Sequence, residues 1–180
     1  MNIHFESAFK DIIIVEGGYS DDPNDTGGKT QYGITEAVAR RHGYTGDMRD
    51  LTLSKAKEIY KIDYWDVSNL DSVAKISYAL AHECFEAGVN CGANRSAQWL
   101  QRSINAVSNA KLTIDGRIGP ASLRAITGKR TDTIEAIYRA CNVYQGQYYI
   151  TLAESNERYR TFIKGWINKR MTSNLPLIGL

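Results

Sequence analysis

Helix follows helix along this chain, and only the stretch from Tyr19 to Ile34 departs from helical spacing for long enough to form strands. That feature restricts the fold to a mainly helical α+β class with one small β-hairpin region. The surrounding segment, Val15 to Thr35, holds five of the fifteen glycines and four carboxylates. Ahead of it, Phe5, Phe9, Ile12, Ile13 and Glu16 recur at steps of three and four, and Gly17 and Gly18 end the helix they define. Glu16 is thus expected on the last turn of an apolar helix. Apolar neighbours and the negative end of the helix dipole both disfavour its ionised form. A carboxyl that must donate a proton near neutral pH needs that environment.

The segment beyond Glu16 is rich in Asp, Asn, Pro and Gly, so it should turn repeatedly, with a short hairpin around Gly27-Gly28. Asp22 and Asp25 lie on it, exposed and free to ionise. A protonated Glu facing an ionised Asp across a cleft is the equipment for cleaving a glycosidic bond. The same residues also read as a surface helix end followed by a solvated turn. Two rival motifs fail on spacing. Gly28-Lys29-Thr30 would end a phosphate-cradling loop, but Pro23 stands where that loop needs a glycine. Asp22, Asn24, Thr26 and Gly27 open like a calcium loop, but its twelfth position is Gly33 instead of an acid.

Glu-Gly-Gly-Tyr, followed by Asp-Pro-x-Asp-x-Gly-Gly-x-Thr-x-Tyr-Gly-Ile-Thr, resembles the signature of the glycoside hydrolase family 108 muramidases, which include many phage endolysins. The resemblance implies that Glu16 is the catalytic acid. The order Glu16, Asp25, Thr30 is similar to the Glu-Asp-Thr triad of phage-type lysozymes, with a gap from Asp to Thr one residue shorter. It implies that Asp25 positions a water or stabilises the sugar cation and that Thr30 helps seat that water. Gln31, Tyr32 and Asn90 are further candidates for substrate contacts. Leu-Thr-x-x-x-Ala-x-x-Ile-Tyr-x-x-x-Tyr-Trp (51–65), the Phe85 to Gly92 stretch with Glu86 where Asp is usual, and Gly165-Trp166-Ile167-Asn168 continue the likeness. The implied fold is the lysozyme plan. The implied reaction is hydrolysis of the β-1,4 bond between N-acetylmuramic acid and N-acetylglucosamine, with no metal or other cofactor. A lytic transglycosylase using Glu16 alone, or a non-catalytic peptidoglycan-binding protein, remain alternatives.

Charge is unevenly shared. Residues 1–92 carry nine Lys or Arg against fifteen acids, and residues 93–180 carry thirteen against five. We expect a muramidase part over 1–92 and a helical part over 93–180, packed against the first. The basic half shows no nucleic-acid-binding motif. Peptidoglycan glycan strands with their peptide carboxylates, or an anionic membrane surface, would suit it equally. Asp115-Gly116-Arg117-Ile118-Gly119-Pro120 resembles an element of peptidoglycan-binding modules, and is equally a plain turn into a helix with Pro at its first position.

Asn90 is either a sugar contact or a helix C-cap, and Trp65 either a sugar platform or core. Thr35 and Thr52 should cap helices, and Asp71 should begin a long one reaching about Ala87. Three cysteines form neither a disulfide framework nor a metal pattern, so Cys84, Cys91 and Cys141 are expected as free, buried thiols. No basic-then-apolar leader opens the chain. We therefore expect a monomer made in a host cytoplasm and acting on the wall after release.

Overall fold

The computed structural model describes residues 3–16, 18–21 and 28–170, with the side chains of residues 14–16 and 169–170 outside that description. By packing, the chain divides between Asp66 and Val67 into an N-terminal and a C-terminal unit.

The N-terminal unit begins with α1 (Ile3–Glu16), whose buried stripe of Phe5, Ala8, Phe9 and Ile12 follows the helical spacing. That stripe meets an aromatic wall. Phe5 lies edge-on to Trp65 at 5.5 Å and Phe9 edge-on to Tyr60 at 5.6 Å between ring centroids. Trp65 is fully buried, so of its two readings the core one holds.

Strands β1 (Thr30–Gln31) and β2 (Ile34–Thr35) pair antiparallel, Thr30 opposite Thr35 and Gln31 opposite Ile34. Tyr32 and Gly33 make the two-residue turn, with φ of 51° and 73°. Two positive φ values in succession match the right-handed twist of the strands they join. The hairpin expected around Gly27-Gly28 falls on a segment, residues 22–27, that lies outside the described residues. Thr35 ends β2 and caps α2 (Glu36–Arg41), its hydroxyl accepting from the Val38 N–H at 3.3 Å. A 3₁₀ turn, Met48–Asp50, leads to Thr52, which caps α3 (Leu53–Tyr60). Leu53 is 44% exposed at the first position of that helix. A π-helical segment, Lys61–Asp66, follows and carries Trp65 into the core.

In the C-terminal unit the long helix expected from Asp71 is two helices, α4 (Leu70–Ala74) and α5 (Tyr78–Cys91). Ser77 breaks them with an extended φ of −153°, and its hydroxyl caps α5 by accepting from the Leu80 N–H at 3.3 Å. The apolar stripe continues through the break, so spacing alone does not reveal it. Residues 79–88 of α5 are all buried, and the helix packs against α4, α6 (Ala93–Ser108) and α8 (Thr131–Ser155). Helices α7 (Pro120–Ile126) and α9 (Glu157–Arg170) complete the described unit. Pro120 takes the expected first helical position.

Two side chains one turn apart on α6 hold the connection to α7. Asn105 clamps Leu112, accepting from its N–H at 2.8 Å and donating to its carbonyl at 2.9 Å. Gln101, 2% exposed, donates to Asp115 Oδ1 at 2.7 Å and to the Arg117 carbonyl at 3.0 Å, and accepts from the Gly116 N–H at 2.9 Å. The Gln101 amide holds the Asp115 carboxyl below its usual range. Cys84, Cys91 and Cys141 are buried thiols outside any disulfide, as expected. Burial pushes the Cys84 and Cys141 thiols up, Cys141 to about 12.

Candidate functional site

Glu16 is the last residue of α1, and the aromatic packing of Phe5 and Phe9 fixes the axis on which it rides. Its side chain, and the whole of Asp25 and Asp22, lie outside the described residues. What the described residues contribute is the base of the loop between them. Ser20 and Thr30 exchange both backbone hydrogen bonds, N–H to carbonyl at 2.9 and 2.8 Å. Residues 21–29 are thereby held at their two ends, whatever lies between.

Thr30 heads β1, half-buried, its hydroxyl donating to the Gly28 carbonyl at 3.2 Å. The hydroxyl keeps acceptor capacity, as seating a water requires. Gln31, next along, is 9% exposed, and its Oε1 is buried without a hydrogen-bond partner among the described residues. Leaving such an acceptor unmet costs about 1–3 kcal/mol. Tyr32 sits at the turn with its φ positive, a conformation that disfavours side chains other than Gly, Asn and Asp by about 1–2 kcal/mol. The Tyr60 hydroxyl donates to the Tyr32 carbonyl at 3.1 Å and steadies it there.

Spacing did not reveal two of these supports. Tyr60 reads as an apolar face residue of α3, yet its hydroxyl reaches 28 residues back to the turn. Tyr19, of the Glu-Gly-Gly-Tyr signature, carries the Arg49 guanidinium over its ring at 5.5 Å and donates to Asp21 Oδ2 at 3.2 Å. Arg49 left no mark in the pattern of residues.

Asn90 lies within α5, in the C-terminal unit, and its amide donates to the Glu86 carbonyl and to Glu86 Oε1, both at 2.8 Å. The residue after α5, Gly92, is the one with the positive φ of a helix end. Glu86 Oε2 accepts from Gln145 Nε2 at 2.8 Å, and the same amide donates to the Tyr149 hydroxyl at 2.9 Å. Burial pushes the Tyr149 phenol up. Glu86 is thus the hub of a buried polar network joining α5 to α8, a role its replacement of the usual Asp did not announce.

Residues 9–92 match the family model described as glycosyl hydrolase 108, and residues 95–171 match the one described as "Predicted Peptidoglycan domain". Among solved structures, the chain is similar to SagA of Brucella abortus, at 24% identity and a TM-score of 0.72, over 98% of this chain and 96% of that one. At that identity the likeness is one of fold, and the mainly helical, lysozyme-like α+β class read from the sequence holds. No curated protein matches the chain.

Proposed function

We infer that this chain, a member of the glycosyl hydrolase 108 family through residues 9–92 and a glycoside hydrolase acting on peptidoglycan in the cell wall, cuts the β-1,4 bond between N-acetylmuramic acid and N-acetylglucosamine. Glu16 is the general acid that protonates the leaving oxygen. Asp25 positions the attacking water or stabilises the developing cation, and Thr30 helps to seat that water. Gln31, Tyr32 and Asn90 touch the sugars. Residues 1–92 are the muramidase part and residues 93–180 the wall-binding part. The packing division at Asp66 puts α5, the end of the glycosyl hydrolase match, in the same unit as the peptidoglycan domain.

The observation that carries this reading is the double hydrogen bond between Ser20 and Thr30. Four Cα-to-Cα steps lead from Glu16 to Ser20, a span of at most about 14 Å, and paired Cα atoms lie about 5.5 Å apart. Thr30 is thus confined to roughly 20 Å of Glu16, with Asp25 on the loop between. The endolysin signature further supports a role in bacteriophage host lysis, as a monomer acting on glycan strands without nucleic acid as a partner.

Purified peptidoglycan tests the reading. Glu16→Gln should lower the release of new reducing ends by about 10²–10⁴-fold, the usual contribution of a positioned acid, while wall binding persists. Asp25→Asn should impair release as well. Products one water lighter than the hydrolytic ones, together with indifference to Asp25→Asn, would overturn it in favour of a lytic transglycosylase.

A further inference from the structure

The C-terminal unit holds a cleft that the hydrolytic reading leaves unused. Its volume is about 450 Å³, within the range of sites that take small ligands. Val67, Ala93 and Ile118 give it apolar lining, and Asn94, Gly116 and Arg117 line it as well. Val67 is 65% exposed, an aliphatic side chain left to solvent beside a concave surface.

The cleft is built, and its loop does not depend on a ligand for its shape. Gln101 engages the backbone of Gly116 and Arg117, and Asn69 Nδ2 donates to the Ile118 carbonyl at 3.0 Å. Gly116 is needed twice over. Its φ of 73° favours glycine, and a Cβ there would fall 2.1 Å from Asn94 Nδ2. The missing side chain lets the Asn94 amide lie against the loop.

The chemistry of the lining is specific. Arg117 is exposed and forms no ion pair among the described residues. It belongs to a unit in which residues 67–180 carry fourteen Lys or Arg against eight acids. Among the described residues no aromatic ring lines the cleft, so they give a sugar no platform on which to stack. One fork-shaped cation, one amide and several small apolar walls instead suit a carboxylate, a peptide amide and methyl side chains.

We propose that this cleft binds the peptide stem of peptidoglycan. The stem's free carboxylate pairs with Arg117, its backbone amide with Asn94, and its alanine methyls pack on Val67, Ala93 and Ile118. The proposal rests on the reading of peptidoglycan as the substrate and says which part of that polymer the C-terminal unit holds.

The full chain is titrated by calorimetry with a soluble stem tetrapeptide ending in a free carboxylate, and with the same peptide capped as a carboxamide. Wild type should bind the free acid at least about tenfold more tightly, the effect of one charge-assisted hydrogen bond. Arg117→Gln should erase that preference, and Gly116→Val should weaken both peptides. Lys129→Gln, which removes the same charge elsewhere on the unit, should leave the preference intact. No saturable peptide binding, a preference that survives Arg117→Gln, or an equal loss in Lys129→Gln would each overturn the proposal. Reducing-end release from peptide-free glycan, read on the wild-type sample, separates the two readings. Release without peptide binding sinks this proposal alone, and peptide binding without release sinks the hydrolytic reading alone.

Discussion

The N-terminal and C-terminal units hold a glycine-rich loop in opposite ways. In the first, two backbone hydrogen bonds between Ser20 and Thr30 close the base of residues 21–29. In the second, the buried Gln101 reaches into the middle of the loop and bonds successive backbone groups of residues 116 and 117. A loop clamped along its length becomes a rigid wall against which a ligand can be recognised. The charges follow the same division: residues 1–66 carry eight Lys or Arg against twelve acids, the reverse of the excess in the second unit. On the proposed reading, proton transfer would sit with the acids and recognition of anionic wall peptides with the bases.

The comparison breaks most readily at the core of the first unit. Trp65→Ala removes the aromatic partner of Phe5 and should cost about 3–5 kcal/mol. Calorimetry should show the N-terminal unit melting earlier while the other transition stays in place. A single transition that falls as a whole would dissolve the distinction between the units.

Next in size, Gln101→Ala strips the clamp from the second loop and should cost about 2 kcal/mol, since it removes three hydrogen bonds to part-buried partners. Amide exchange should then rise at Gly116 and Arg117, with residues 28–36 unaffected. If both segments loosen together, the two loops are not independently held.

The thiols offer a pH test confined to the C-terminal unit. Cys141 titrates normally near 9.0 and is pushed up to about 12 in the fold, and Cys84 also rises. Between those values the unfolded chain has lost a proton that the folded one keeps. The thiols' contribution is therefore whole below about pH 9 and falls as pH rises through that window. At pH 10 the loss should be about 1.4 kcal/mol per thiol, seen as a decline in denaturant midpoint that Cys141→Ala reduces.

Smallest, Tyr60→Phe removes the hydroxyl that steadies the turn at Tyr32 and should cost about 1 kcal/mol. Hydrolysis should fall with it if the strained turn orders the substrate contacts. An unchanged rate would assign that hydroxyl to stability alone.

Local signals were legible wherever a residue acts on its own neighbours. Thr35 and Thr52 cap the helices they precede, Pro120 opens α7, and Phe5, Phe9 and Ile12 face the core, because each effect works within one turn of chain. A two-residue turn formed at Tyr32-Gly33, held by strand pairing and a distant phenol that no local signal announces, while the hairpin expected around Gly27-Gly28 falls on residues outside the description. The break at Ser77 was hidden by an apolar stripe that runs through it.

By itself the sequence determined the helical class, the end of the first helix at Glu16 and the acid-then-base charge order, all consequences of spacing and composition. Only the tertiary structure decided that Glu86 meets Gln145 across 59 residues, that Gln101 reaches Gly116, and that Asn94 shares a cleft with Arg117. Such pairings depend on which helix faces pack together, and no local period along a chain encodes the distance between residues that folding brings side by side.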